Sequence, residues 1–112
     1  MEKGIEYGKK SLNLALKLKR KKLIASCYNS LGTSFAKKGN LTLSLENYKK
    51  GLEISEELND KGRIAIFLSN MGNVYTYQSR YSLALKCYHK AIKIQKQTGN
   101  KVKLALFFGG IG

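Results

Sequence analysis

The sequence predicts an all-α protein built from repeated antiparallel helix pairs, and three observations carry that prediction. Uncharged segments at Leu23 to Ala36, Ile64 to Ser79 and Leu104 to Gly112 recur at a nearly constant interval in a chain that is 25% charged. Turn signals fall every twenty residues, at Gly39-Asn40, Asn59-Asp60, Ser79-Arg80 and Gly99-Asn100, with helical apolar spacing between them and no proline anywhere. Residues 31–70 laid over 71–110 without a gap give nine identities, among them Gly32/Gly72, Leu45/Leu85, Tyr48/Tyr88, Lys50/Lys90, Ile54/Ile94 and Ala65/Ala105. Self-similarity at a fixed period decides the architecture before any local reading does. The expected organisation is a single array: residues 1–20 as the second helix of a preceding repeat, 21–60 and 61–100 as full repeats, and 101–112 as the start of a further one. That makes five full helices and a partial sixth.

The first helix is expected from Glu2 to Leu18, with Ile5, Leu12, Leu14, Leu16 and Leu18 as its apolar side. It runs into a basic turn, Lys17 to Lys22, that lacks the Gly or Asn of its counterparts; positive charge there suits a helix C-terminus. The second helix, Lys22 to Lys38, and the fourth, Lys61 to Gln78, hold the uncharged segments and must be covered on more than one side. The third, Leu41 to Leu58, and the fifth, Tyr81 to Thr98, are amphipathic. On the fifth, Leu85, Tyr88 and Ile92 form the apolar stripe while Lys86, Lys90, Lys93 and Lys96 occupy the rest.

Gly32 and Gly72 sit in mid-helix, where glycine costs about 1 kcal/mol relative to alanine. A cost repeated at one register position implies close approach of the following helix, with Tyr48 and Tyr88 filling the space beside it. Gly51 and Ala91 are small for the same reason. Beyond the fifth helix, Leu104, Phe107, Phe108 and Ile111 form an apolar end that is expected to seek another surface, giving end-to-end self-association.

Lys and Arg number 21 against 7 acids, a formal net charge of +14, and every acid lies at or before Asp60. Such a field attracts polyanions or acidic partners, although net charge speaks to solubility and association before it speaks to one function. The two cysteines, Cys27 and Cys87, have no metal-ligand spacing and read as buried reduced thiols, which fits a cytoplasmic protein. The longest uncharged run is sixteen residues, short of a membrane span, and no secretory signal is visible.

At Tyr28-x-x-Leu31-Gly32-x-x-Phe35, Leu68-x-x-Met71-Gly72-x-x-Tyr75 and Phe108-x-x-Ile111-Gly112 the chain resembles the tetratricopeptide repeat family. The later small-x-x-x-aromatic element appears as Ala84-x-x-x-Tyr88 and Ser44-x-x-x-Tyr48. The period is forty rather than thirty-four residues and the closing proline is absent, which resembles the long-helix branch of the family found in scaffold proteins and regulators. The resemblance implies a right-handed α-solenoid whose first helices line a concave groove for a peptide or helical segment of a partner. It also implies a protein-interaction module within a larger scaffold or regulatory protein.

The residues support such a groove independently. Asn29, Ser30, Thr33 and Lys37 on the second helix, and Ser69, Asn70, Asn73 and Tyr77 on the fourth, make a polar stripe at helical steps. Asn offers a donor and an acceptor, as a peptide backbone does. The partner expected is a protein or peptide, preferably acidic; hydrogen bonding between neighbouring helices is the structural alternative for the same residues. A basic surface binding nucleic acid or another polyanion is the second functional reading, placed below protein binding because Tyr and Lys alternate too little for a stacking platform. An enzyme is not expected: the lone His89 lies on the lysine-rich side of the fifth helix, and no paired carboxylates, phosphate loop or activated nucleophile can be assembled. No cofactor or metal is implied.

Overall fold

The computed structural model describes residues 2–98, which form five α-helices: α1 Glu2–Leu18, α2 Lys21–Lys38, α3 Leu41–Glu57, α4 Lys61–Tyr77 and α5 Tyr81–Thr98. The chain divides into two compact units, Met1–Asn59 with α1 to α3 and Asp60–Gly112 with α4 and α5. The expectations placed on residues 101–112, a further repeat with a partial sixth helix and the apolar end of Leu104, Phe107, Phe108 and Ile111, lie outside the described residues.

Helices stop where the sequence spacing said they would, by one device used four times. Lys19, Gly39, Asn59 and Ser79, twenty residues apart, all take positive φ, at 54°, 89°, 51° and 61°. At three of them the chain closes a Schellman motif, in which the positive-φ residue bonds back three residues and its successor bonds back five. The Lys19 N–H donates to Leu16 O at 3.1 Å and Arg20 to Ala15 O at 3.3 Å; Gly39 to Ala36 O and Asn40 to Phe35 O, and Ser79 to Thr76 O and Arg80 to Tyr75 O, repeat it. The basic turn therefore closes in the same way as Gly39-Asn40 and Ser79-Arg80, with a lysine held in the strained region. The residue after each turn opens the next helix. Asn40 and Asp60 cap α3 and α4, accepting from the Leu43 and Arg63 N–H groups, whereas Arg20 offers α2 no side-chain cap.

Within the first unit, contacts run antiparallel. Gly4 and Gly8 of α1 face Ser34 and Leu31 of α2, and Lys21 and Gly32 of α2 meet Glu57 and Ser44 of α3. Ala15, Ile24 and Cys27 form a buried cluster, with Leu12, Tyr28 and Ile54 packed against it. The buried side of α1 is Ile5, Gly8 and Ala15 with half-buried Leu12, while Leu14, Leu16 and Leu18 are 56%, 48% and 52% exposed. The correction has a simple cause: residues two apart stand about 200° apart around a helix, so 12, 14, 16 and 18 cannot share one face.

In the second unit α4 is buried over more than half of its circumference, through Ala65, Phe67, Leu68, Ser69, Met71, Gly72, Val74 and Tyr75, and only the side carrying Asn70, Asn73 and Tyr77 is open. Antiparallel α5 buries Ala84, Cys87, Tyr88, Ala91 and Gln95. Leu85, expected in the apolar stripe with Tyr88, is 57% exposed, so Tyr88 packs beside Ala84, Cys87 and Ala91 and not beside Leu85. Both cysteines are buried and neither is in a disulfide, and burial pushes the Cys27 thiol pKa above its ordinary value. No described helix is long and apolar enough to cross a membrane.

Candidate interaction surface

Each unit builds the same constellation around its mid-helix glycine. A methyl group at Gly32 would stand 2.5 Å from Tyr48 Cε1, and one at Gly72 would stand 2.8 Å from Tyr88 Cε1. A ring can lie on a helix backbone that closely only where no side chain intervenes, which is why glycine recurs there despite its cost. In the first unit the buried Ser44 hydroxyl donates to Gly32 O at 2.7 Å, tying the same glycine to α3 a second time. Burial raises the hydroxyl pKa of both tyrosines, partly opposed by hydrogen bonds from neighbouring hydroxyl groups.

The ring position carries the phenol oxygen to the next residue of the first helix, and that residue belongs to the polar stripe. Tyr48 Oη lies 2.8 Å from Thr33 Oγ1, and Tyr88 Oη donates to Asn73 Oδ1. Thr33 and Asn73 are thus equivalent residues held by equivalent tyrosines. With its oxygen fixed as an acceptor, Asn73 keeps two N–H donors on its amide nitrogen for another group.

The remaining stripe residues differ in access. On α2, Ser30 and Lys37 are exposed and Asn29 is half-buried and already engaged in a contact of its own. On α4, Tyr77 is 74% exposed, Asn70 is half-buried and engaged, and Ser69 is buried at 5%. The open positions of the two stripes are therefore Ser30 and Lys37 on one and Tyr77 on the other, each flanking the tyrosine-bound Thr33 or Asn73.

Two features were not foreseen from the sequence. Tyr hydroxyl to stripe residue is a contact fifteen residues apart that only the crossing of the helices reveals; its trace is Gly-Thr or Gly-Asn followed by Tyr at that distance in both repeats. The second is a cleft of about 230 Å³ between α1 and α2, lined by Gly4, Tyr7, Gly8, Leu23, Cys27 and Ser30 among others. Its sequence signal is the pair of glycines four residues apart. For catalysis or metal binding the described residues offer no group of three or more His, Cys, Asp or Glu side chains that could hold an ion, and His89 is exposed.

Two tetratricopeptide-repeat family models match the chain, one over residues 24–62 and one over residues 65–97. The chain belongs to the tetratricopeptide repeat family. The two matches fall on the α2–α3 and α4–α5 pairs that the glycine-tyrosine contact defines. No curated protein matches the sequence. Tetratricopeptide repeats generally mediate protein–protein interaction and are typically non-catalytic.

Proposed function

We propose that this tetratricopeptide-repeat protein binds a peptide or helical segment of a partner protein along the polar stripe that each repeat presents on its first helix. The observation that carries the reading is the repetition of one arrangement at one interval: a tyrosine-anchored Thr33 or Asn73, followed four residues later by an exposed Lys37 or Tyr77. An anchored Asn costs less entropy to order on binding than a free one, and its uncommitted N–H groups suit a main-chain carbonyl. Tyr77 adds a large rigid surface of the kind that dominates binding energy. Lys37 and the +14 charge of the chain favour an acidic segment and speed its encounter. A cytoplasmic scaffold or regulatory setting fits a module of this kind.

Selection of peptides from a random display library on the parent protein tests the reading. The expected result is an enriched family of peptides rich in Asp or Glu whose affinity falls about tenfold or more in the double variant Lys37→Ala, Tyr77→Ala. Peptides that bind parent and variant equally would place the site elsewhere.

A further inference from the structure

The fifth helix displays a charge pattern that the polar stripes do not use. Lys86, Lys90, Lys93 and Lys96 are all exposed, and His89 and Gln97 lie among them on the arc opposite the buried face. None of the four lysines makes an ion pair or ring contact among the described residues, and α4 and α5 contain no acidic residue at all.

The repeat supplies an internal control. At the equivalent, equally exposed positions of α3 stand Glu46, Glu53, Glu56 and Glu57, where α5 has Lys86, Lys93, Lys96 and Gln97; only Lys50 and Lys90 agree. The same packing therefore tolerates either sign. A general lysine excess does not explain why the acids on one helix face are replaced together on its counterpart.

We propose that the solvent face of α5 is a second interaction surface, separate from the polar stripes, that takes the phosphate backbone of a nucleic acid. The four lysines run from Lys86 to Lys96, about 15 Å along the helix axis. A duplex lying along that length presents roughly nine phosphates, more than enough to meet all four. Between the lysines the arc carries Ser82, His89 and Gln97 and no apolar side chain. The exposed apolar side chains of α5, Tyr81 and Leu85, lie at its N-terminal end beside the arc and not among the lysines, so the arc itself offers a protein partner no aromatic or aliphatic anchor, whereas a phosphate backbone needs charge alone. Lysine is a point charge without the planar fork that reads base edges, so binding should be indifferent to sequence.

The test is fluorescence anisotropy of a labelled DNA duplex of about twenty base pairs with the full chain, between about 50 and 200 mM salt. The triple variant Lys86→Glu, Lys93→Glu, Lys96→Glu installs the residues α3 already carries. It is compared with Lys9→Glu, Lys10→Glu, Lys17→Glu, an equal charge change on exposed positions of α1. The α5 variant is expected to lose about tenfold or more in affinity and to flatten the logarithmic salt slope by about three, while the α1 variant loses about twofold at most. If circular dichroism shows the α5 variant misfolded, the milder Lys86→Gln, Lys93→Gln, Lys96→Gln carries the same comparison. Equal losses in the two triple variants would overturn the proposal, leaving net charge as the only cause. Displacement of the duplex by polyglutamate at a charge concentration well below that of the DNA would also overturn it, assigning the face to an acidic protein.

Discussion

The ring of Tyr48 lies so close over Gly32 that a methyl group on that glycine would stand 2.5 Å from Cε1, and Tyr88 repeats the contact over Gly72. Removing side-chain bulk from a helix interior lowers helix propensity, yet both repeats do it at one register position because the ring and its hydroxyl need the space. Gly32→Ala and Gly72→Ala therefore set a gain in propensity of about 1 kcal/mol against a clash with a buried ring. Overpacking of this kind costs about 1 to 3 kcal/mol, and Gly72→Leu should stand at its upper end. Urea unfolding of each variant measures the balance; a Gly72→Leu variant as stable as the parent would mean that the ring can move aside.

A second prediction concerns the turns. Lys19 and Ser79 hold φ of 54° and 61°, a region that costs a residue with a Cβ about 1 to 2 kcal/mol. Replacing either with glycine relieves that cost, partly offset by the freedom glycine gains in the unfolded chain, for a net stabilisation of about 0.5 to 1 kcal/mol. Arg20→Asp adds the missing cap of α2 and should contribute about 1 kcal/mol more. Thermal melts of Lys19→Gly, Ser79→Gly and Arg20→Asp check all three; Gly39→Ala, at φ 89°, should move the other way.

Asn73→Ala removes the acceptor of a buried tyrosine hydroxyl, so it should destabilise the second unit by about 1 to 3 kcal/mol as well as weaken any ligand. Tyr88→Phe, which removes both ends of the unpaired problem, should rescue part of the loss in the double variant with Asn73→Ala. Denaturation of the two single variants and the double gives the coupling directly.

Burial raises the pKa of Tyr48 and Tyr88 above the ordinary value of 10.0. Both states are protonated below that value, so the stabilising contribution is fully present there. As pH rises past it the unfolded chain ionises first, and stability is lost through the folded pKa values. Unfolding free energy measured from about pH 8 to 11.5 should fall at the alkaline end. The fall should be shallower in the double variant Tyr48→Phe, Tyr88→Phe; an unchanged slope would mean that these two hydroxyl groups do not cause it.

Much of this was legible in the sequence because the same information is written twice. Helix bounds followed from turns twenty residues apart, and the pairing of Gly32 with Tyr48 and Gly72 with Tyr88 followed from a costly residue recurring in register. What was not legible depends on crossing geometry. Leu14, Leu16 and Leu18 read as core by hydrophobicity but point away from it, and Leu85 is exposed beside the small residues that pack. The stripe was found by helical spacing, but spacing could not show that Thr33 and Asn73 are held by tyrosine hydroxyls or that Ser69 is buried. Those facts need the second helix of each pair in place.

The most direct measurement is a titration of the isotope-labelled protein with a display-selected acidic peptide, following backbone amide chemical shifts. Binding along the polar stripes predicts that the largest changes fall on residues 29–37 of α2 and 69–77 of α4, and that they disappear in the double variant Lys37→Ala, Tyr77→Ala. Changes confined to α3 and α5, or retained in that variant, would contradict it.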